Sequence, residues 1–301
     1  ERSSLMKNTI FTGAGVAIIT PMNADGSINF DELGRLIDFN IDNGTDAIII
    51  CGTTGESATM TDDEHIECIR YAVEKTNKRV PVIAGTGSNH TEYAVNLSKK
   101  AEELGVDALL VVTPYYNKTS QAGLVRHYTE IANAVSIPII MYNVPSRTGV
   151  NIAPKTCAEL AKLDNIAAVK EASGNIGQIA EIAALCGDSL DIYSGNDDQI
   201  IPIMSLGGKG VISVLSNCLP FETHEICKLC LENNYKEARA KAFKIHDFTS
   251  MLFCDVNPIP VKEALNLMGF NAGPCRLPLV EMSDAKKKQL ADSMKSIGLI
   301  K

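Results

Sequence analysis

In Asn165-Ile-Ala-Ala-Val-Lys-Glu-Ala-Ser-Gly174, four apolar residues run from Ile166 to Val169 before Ser173 and Gly174 close the segment. A short apolar run with that punctuation predicts a buried strand. A helical pattern over 154–163 precedes it and another over 176–186 follows it. A buried strand between two helices is the repeating unit of a parallel sheet covered by helices. Lys170 stands at the far end of the strand. Lysine almost never enters a core strand unless it is paired or has work to do. Burial disfavours an ammonium group and leaves a neutral amine that can attack a carbonyl carbon. The structural alternative is a strand-end lysine that reaches solvent and pairs with Glu171.

The same unit recurs on both sides. Apolar strands are expected at 15–21, 47–52, 80–85, 108–114 and 138–145 before the Lys170 strand, and at 190–195 and 210–214 after it. Between the first two, Phe30, Leu33, Leu36, Ile37 and Ile41 recur at helical spacing, and Gly44 stops the helix. Thr61 with Glu64 three residues on has the form of a capping box. Further helices are expected at 91–104, through Leu124 and Ile131, and at 200–206. Eight alternations of continuous apolar strands and helices predict a closed (β/α)8 barrel, a TIM barrel. An open doubly wound sheet is the alternative, but no strand–turn–helix here carries G-x-G-x-x-G. Beyond Leu219 the strands stop. Residues 222–301 read as helices only, broken at Asn257-Pro-Ile-Pro260. The expected organisation is a barrel over 6–221 and an all-helical extension over 222–301. Residues 1–5 read as a vector remnant ahead of a start at Met6.

Of 301 residues, 45% are hydrophobic and 21% charged, with a net charge of -8. That composition suits one large domain, or one with an appendage. A mildly acidic surface argues against nucleic acid or an anionic membrane as partner. No apolar run approaches the length of a membrane span, and no signal-peptide pattern is present at the start. Nine scattered cysteines point to free thiols in a reducing cytoplasm. Cys227 and Cys230 form a C-x-x-C inside a helical pattern, without a second pair of ligands, so core packing is expected rather than metal. The five histidines also lack metal spacing. Gly207-Gly-Lys-Gly210 looks like a phosphate cradle, yet it precedes the eighth strand and so belongs to the barrel floor as a tight turn.

Chemistry in such barrels sits where the strands end. The second strand ends in Cys51-Gly-Thr-Thr-Gly-Glu56, two hydroxyls among free backbone N–H groups, suited to a carboxylate. The fourth ends in Thr113-Pro-Tyr-Tyr-Asn117, and the fifth in Tyr142-Asn-Val-Pro-Ser-Arg147. An amine, phenols, hydroxyls and a guanidinium at one mouth suit Schiff-base chemistry on a 2-oxo acid. Lysine forms the imine, tyrosine and threonine move protons, and arginine holds a second carboxylate.

On these residues the chain resembles the dihydrodipicolinate synthase (4-hydroxy-tetrahydrodipicolinate synthase) family, within the pyruvate-dependent class I aldolase and N-acetylneuraminate lyase superfamily. The resemblance runs from Met6 onward. It rests on Gly52-Thr-Thr-Gly-Glu-Ser57, Thr113-Pro-Tyr-Tyr-Asn117, Tyr142-Asn-Val-Pro-Ser-Arg-Thr-Gly149, Val169-Lys-Glu-Ala172, Gly210-Val-Ile-Ser-Val214 and Asn257-Pro-Ile-Pro-Val-Lys262. It implies condensation of pyruvate with L-aspartate-4-semialdehyde in diaminopimelate and lysine biosynthesis, with no cofactor. Lys170 would form the imine. Tyr142, Thr53 and Tyr116 would relay protons, Tyr116 coming from the neighbouring subunit of a homotetramer built as a dimer of dimers. Thr53 and Thr54 would sit by the pyruvate carboxylate, Arg147 would hold the carboxylate of the semialdehyde, and the Gly195 and Ile212 backbones would line the pocket.

The resemblance also implies a regulatory cleft at the tight dimer interface, matching Ser57, Ala58, Asp62, His65, Asn89, Tyr93 and Tyr115. Lysine-inhibited members typically carry histidine where this chain has Asp62 and glutamate where it has Tyr93. A phenol brings no charge for the ligand's ammonium group, so insensitivity to lysine is expected. Two alternatives stand beside this. One is an N-acetylneuraminate lyase or 2-keto-3-deoxy-sugar-acid aldolase, which lack the Ser-Arg-Thr run. The other is a non-catalytic paralogue that senses a 2-oxo acid, against which the complete relay argues.

Overall fold

A computed structural model describes residues 7–301, so the remnant expected at 1–5 and the start at Met6 lie outside the described residues. Eight parallel strands close into a barrel in chain order. They are β1 (Gly13–Ala17), β2 (Ala47–Ile50), β3 (Val82–Gly85), β4 (Ala108–Val112), β5 (Ile139–Asn143), β6 (Ile166–Glu171), β7 (Asp191–Ser194) and β8 (Gly210–Ser213). β8 pairs with β1 from Gly13↔Gly210 to Val16↔Ser213, which shuts the cylinder and excludes an open sheet. Several strands are shorter than their apolar runs. After Ala17, for example, Ile18 still donates its N–H to the Ile49 carbonyl, but the chain then leaves the ladder towards a bridge between Met22 and Ile28.

Side chains alternate across each strand, because successive Cβ atoms point to opposite faces. On β4, Ala108 and Leu110 fill the barrel while Leu109 and Val111 pack outward; on β5, Ile140 and Tyr142 face in. The same parity on β6 turns Ala168 and Lys170 inward and Val169 and Glu171 outward. Below them Phe11 closes the floor. Its ring stacks on Tyr193 at 4.4 Å, and the Tyr193 hydroxyl donates to the Phe11 carbonyl at 2.6 Å.

The helices form an outer ring: Phe30–Asp42, Asp62–Thr76, Thr91–Glu103, Gln121–Ala134, Pro154–Leu160, Ile176–Cys186, Ile200–Ser205 and Pro220–Leu231. The capping box at Thr61 forms, with Glu64 N–H donating to Thr61 Oγ1 at 3.2 Å and Thr61 N–H donating to Glu64 Oε2 at 2.9 Å. Pro220–Leu231 packs on β1 and β8 and is the barrel's own eighth helix. A boundary at 221/222 therefore cuts this helix near its start. The strands end at Ser213, but the last outward-facing side chains of β8 still need a cover. Cys227 and Cys230 lie buried on this helix as core residues.

Helices Tyr235–Lys244, His246–Met251, Ile259–Leu267 and Asp284–Ser296 form the extension. It is fastened to the loop after β2. Lys262 Nζ donates to Glu56 Oε2 at 2.7 Å with the two side chains only 2% and 3% exposed. Lys262 also donates to the Pro274 carbonyl at 2.8 Å, and Glu56 Oε1 accepts the Arg276 N–H at 2.9 Å. Arg276 then forks onto both carboxylate oxygens of Glu64 at 2.6 and 2.8 Å. That fork is the first reason the Glu64 carboxyl titrates down at about 2.

Candidate active site

Lys170 is 6% exposed and lies in register between Tyr142 on β5 and Tyr193 on β7. Its Nζ sits 3.9 Å from the centroid of the Tyr142 ring. The pairing with Glu171 does not form, because the two neighbours face opposite sides of the strand. Glu171 instead accepts from Asn143 Nδ2 at 3.1 Å, from the Ser173 N–H at 2.7 Å and from Gln178 Nε2 at 3.2 Å. That network ties the ends of β5 and β6 together behind the lysine and keeps the carboxylate away from the amine. No spacing in the chain marks Asn143 or Gln178 for it.

Room for the lysine comes from β7 and β8. A Cβ on Gly195 would lie 3.2 Å from Lys170 Cε and 2.7 Å from Ala172 Cβ, so only glycine fits there without displacement. Ile212 is buried on the interior wall. Asp197, absent from the sequence expectations, is buried beside this wall. It accepts from Ser213 Oγ at 2.5 Å and from the N–H groups of Val214 and Leu215 at 3.1 and 2.9 Å. Burial raises its carboxyl pKa, opposed by those hydrogen bonds and by the Lys170 charge.

The loop after β2 is held in a constrained shape. Cys51 and Glu56, at its two ends, both have φ of 58°, a conformation that non-glycine residues enter rarely and that recurs at functional sites. Thr53 lines a small recess with Cys51, Val112 and Tyr142, and also the wider cleft of about 400 Å³ above it. Thr54 is buried, and its Oγ1 accepts a hydrogen bond from Asn257 Nδ2 at 2.9 Å.

Arg147 lines the wide cleft from a short helix, Pro145–Thr148, in a stretch between the fifth strand and the next helix to which the sequence reading assigns no element. Pro145 in its first turn and Gly149 beyond its end, at φ 75°, start and stop it. Those two residues were a legible signal in Pro145-Ser-Arg-Thr-Gly149. Tyr116 stands apart from the other expected site residues by its exposure. It is 92% exposed, has φ of 70°, and does not line the cleft of its own chain.

Ser57, Ala58, His65, Tyr93 and Tyr115 line the same wide cleft as Thr53 and Arg147. Asp62 joins them by accepting the Tyr93 hydroxyl at 2.6 Å, and Asn89 by donating from Nδ2 to the Tyr115 carbonyl at 3.1 Å. Burial, followed by the Asp62 carboxylate, pushes the Tyr93 phenol up to about 12. Burial lowers the His65 pKa, and its Nε2 lies 2.8 Å from the Gly85 carbonyl. All seven expected cleft residues thus gather beside the mouth.

Comparison with known proteins bears on this geometry. The profile of the Dihydrodipicolinate synthetase family matches residues 10–297. A 4-hydroxy-tetrahydrodipicolinate synthase from Lachnoclostridium phytofermentans is 60% identical over 292 residues, which span 97% of this chain and 99% of its own. The crystal structure of dihydrodipicolinate synthase from Aquifex aeolicus superposes with a TM-score of 0.94 at 46% identity, covering 96% of this chain and 99% of that one. A second crystal structure, from Cyanidioschyzon merolae with lysine bound, superposes with a TM-score of 0.95 at 39% identity, covering 97% and 100%.

Proposed function

The chain belongs to the dihydrodipicolinate synthetase family, and from that membership we propose that it condenses pyruvate with L-aspartate-4-semialdehyde through an imine on Lys170. It is a lyase of lysine biosynthesis. The observation that carries the mechanism is the inward, nearly buried Lys170 amine with its carboxylate neighbour turned away.

The lone pair of Lys170 Nζ attacks C2 of pyruvate, and loss of water gives the iminium. Removal of a C3 proton gives the enamine, which attacks the aldehyde carbon of the second substrate. The amino group of that substrate then attacks the iminium carbon, closes the ring and releases Lys170, so one water leaves overall. Tyr142 and Thr53 carry protons between these steps, a reading supported by the recess they share. Thr53 and Thr54 receive the pyruvate carboxylate. Arg147, at the wider opening, receives the carboxylate of the semialdehyde. Arg147 also favours this reading over a sugar-acid aldolase, whose substrate presents hydroxyls at that end. Gly195 and Ile212 form the wall beside the imine. No step calls for a cofactor.

Tyr116 completes the relay from a second chain. Its near-complete exposure on a left-handed backbone supports this, since a strained tyrosine in solvent contributes nothing to its own subunit. The assembly is a homotetramer, a dimer of dimers, working in the cytoplasm. Among the described residues no helix is long and apolar enough to cross a membrane.

Borohydride with pyruvate traps a pyruvyl adduct on Lys170 alone, located by mass spectrometry of the digest. An adduct on Lys118 or Lys209 with none on Lys170 overturns the assignment. Lys170→Ala abolishes most turnover and keeps the fold, because truncation at a strand end removes the amine rather than core packing.

A further inference from the structure

Asn257 stands outside the set that touches substrate, yet it contacts that set twice. Its Nδ2 donates to Thr54 Oγ1 at 2.9 Å, and its main-chain carbonyl accepts from Arg147 Nη2 at 3.4 Å. Thr54 belongs to the loop after β2 and Arg147 to the short helix after β5. Asn257 comes from neither, but from the turn that leads into helix Ile259–Leu267 of the C-terminal extension. That helix also carries Lys262, whose ion pair with Glu56 fixes it to the loop that holds Thr54.

The direction of the first hydrogen bond matters. A hydroxyl has one proton and two lone pairs. When the asparagine amide donates into a lone pair of Thr54, the threonine's own proton is left to point elsewhere. Asn257 is 9% exposed, and its Oδ1 is buried without a hydrogen-bond partner, so that oxygen does not take the threonine proton.

We propose that Asn257 is a positioning residue for both carboxylate sites. Its amide turns the Thr54 proton towards the carboxylate of the 2-oxo acid, and its carbonyl steadies Arg147 at the second carboxylate. The helical extension is then part of the active site and not only a support for it. This rests on the reading of Lys170 and Thr54 as a pyruvate site.

Three variants test it. Asn257→Ala loses the donor, and the pyruvate KM rises about tenfold with kcat changed less than about threefold. The semialdehyde KM moves less than about threefold, because the Arg147 contact is to main chain and survives. Asn257→Asp keeps the shape but can only accept. It captures the Thr54 proton and sets a negative charge beside the incoming carboxylate, so its pyruvate KM rises at least as far. In a Thr54→Val background the effect of Asn257→Ala on pyruvate KM falls within about twofold, since it acts through the hydroxyl. A wild-type-like Asn257→Asp, or a full Asn257→Ala effect without the Thr54 hydroxyl, overturns the proposal. If Asn257→Ala does not fold, the isosteric aspartate variant decides alone. Borohydride trapping of wild type with pyruvate runs alongside. No adduct there brings down the pyruvate reading and this inference together. An adduct with unaffected Asn257 variants brings down this inference alone.

Discussion

Lys170 and Glu171 are adjacent in sequence and opposite in fate. One faces the barrel interior and the other a network of amides, and a single step along a strand makes the difference. Lys170 could be singled out because a charge at the end of an apolar run is visible without coordinates. Asn143, Gln178 and Asp197 could not, because their partners lie on other strands and helices and no spacing links them. The same limit applies to Tyr93. Its identity was legible, but its engagement with Asp62 was not. That contact sharpens the expectation of weak feedback control. In the proposed regulatory cleft, the one carboxylate that could meet a ligand's ammonium group already accepts from a phenol that burial keeps protonated. Losing a charge-assisted hydrogen bond costs about 1.5–3 kcal/mol, or roughly ten- to a hundredfold in affinity. Millimolar L-lysine is therefore expected to leave the initial rate nearly unchanged when both substrates are near half-saturation. Strong, saturable inhibition would show that Asp62 releases Tyr93 and serves the ligand.

Among elements, those with their own start and stop signals were the easiest to foresee. The helix after Thr61 has its box, and Phe30–Asp42 has a glycine beyond it. Pro145–Thr148 was missed because four residues are too few for a helical period to show. The C-terminal extension was foreseen as helices, but its fastening to the β2 loop was not. A lysine at 262 and a glutamate at 56 are too far apart in sequence for any pattern to join them. Their pair is nearly excluded from water, so removing one partner leaves a buried charge without its counter-charge. Lys262→Met is expected to cost about 3–5 kcal/mol, seen calorimetrically as a melting temperature lower by roughly 5–8 °C. Pairing it with Glu56→Gln should recover part of that loss, since the stranded charge is gone. If Lys262→Met melts with wild type, the carboxylate reaches water and the latch is not a stabilising feature.

For the molecule as a whole, the eightfold alternation of strand and helix was enough to foresee the barrel, because continuous apolar strands demand cover on both faces. What one chain could not reveal is what stands opposite Tyr116. If that tyrosine serves the neighbouring site, mixed dimers of Lys170→Ala and Tyr116→Phe subunits contain one site with both lesions and one with neither. Dissociating and reassociating the two inactive proteins should then restore up to about half of the wild-type activity per mixed dimer. Mixed dimers that form and stay inactive would place the tyrosine within its own subunit. The floor has a consequence of another kind. Phe11 stacked under Tyr193 closes one end of the barrel and makes a blind well, whose interior wall carries Lys170 and whose open end is the side that Arg147 lines. Arrivals and departures share one opening. In the proposed reaction a molecule lodged at the rim would obstruct the way down to the amine, so pyruvate would descend first and its partner settle above it. The completed ring must leave by the same route before the next turnover begins, which makes sequence in time a property of the well's shape.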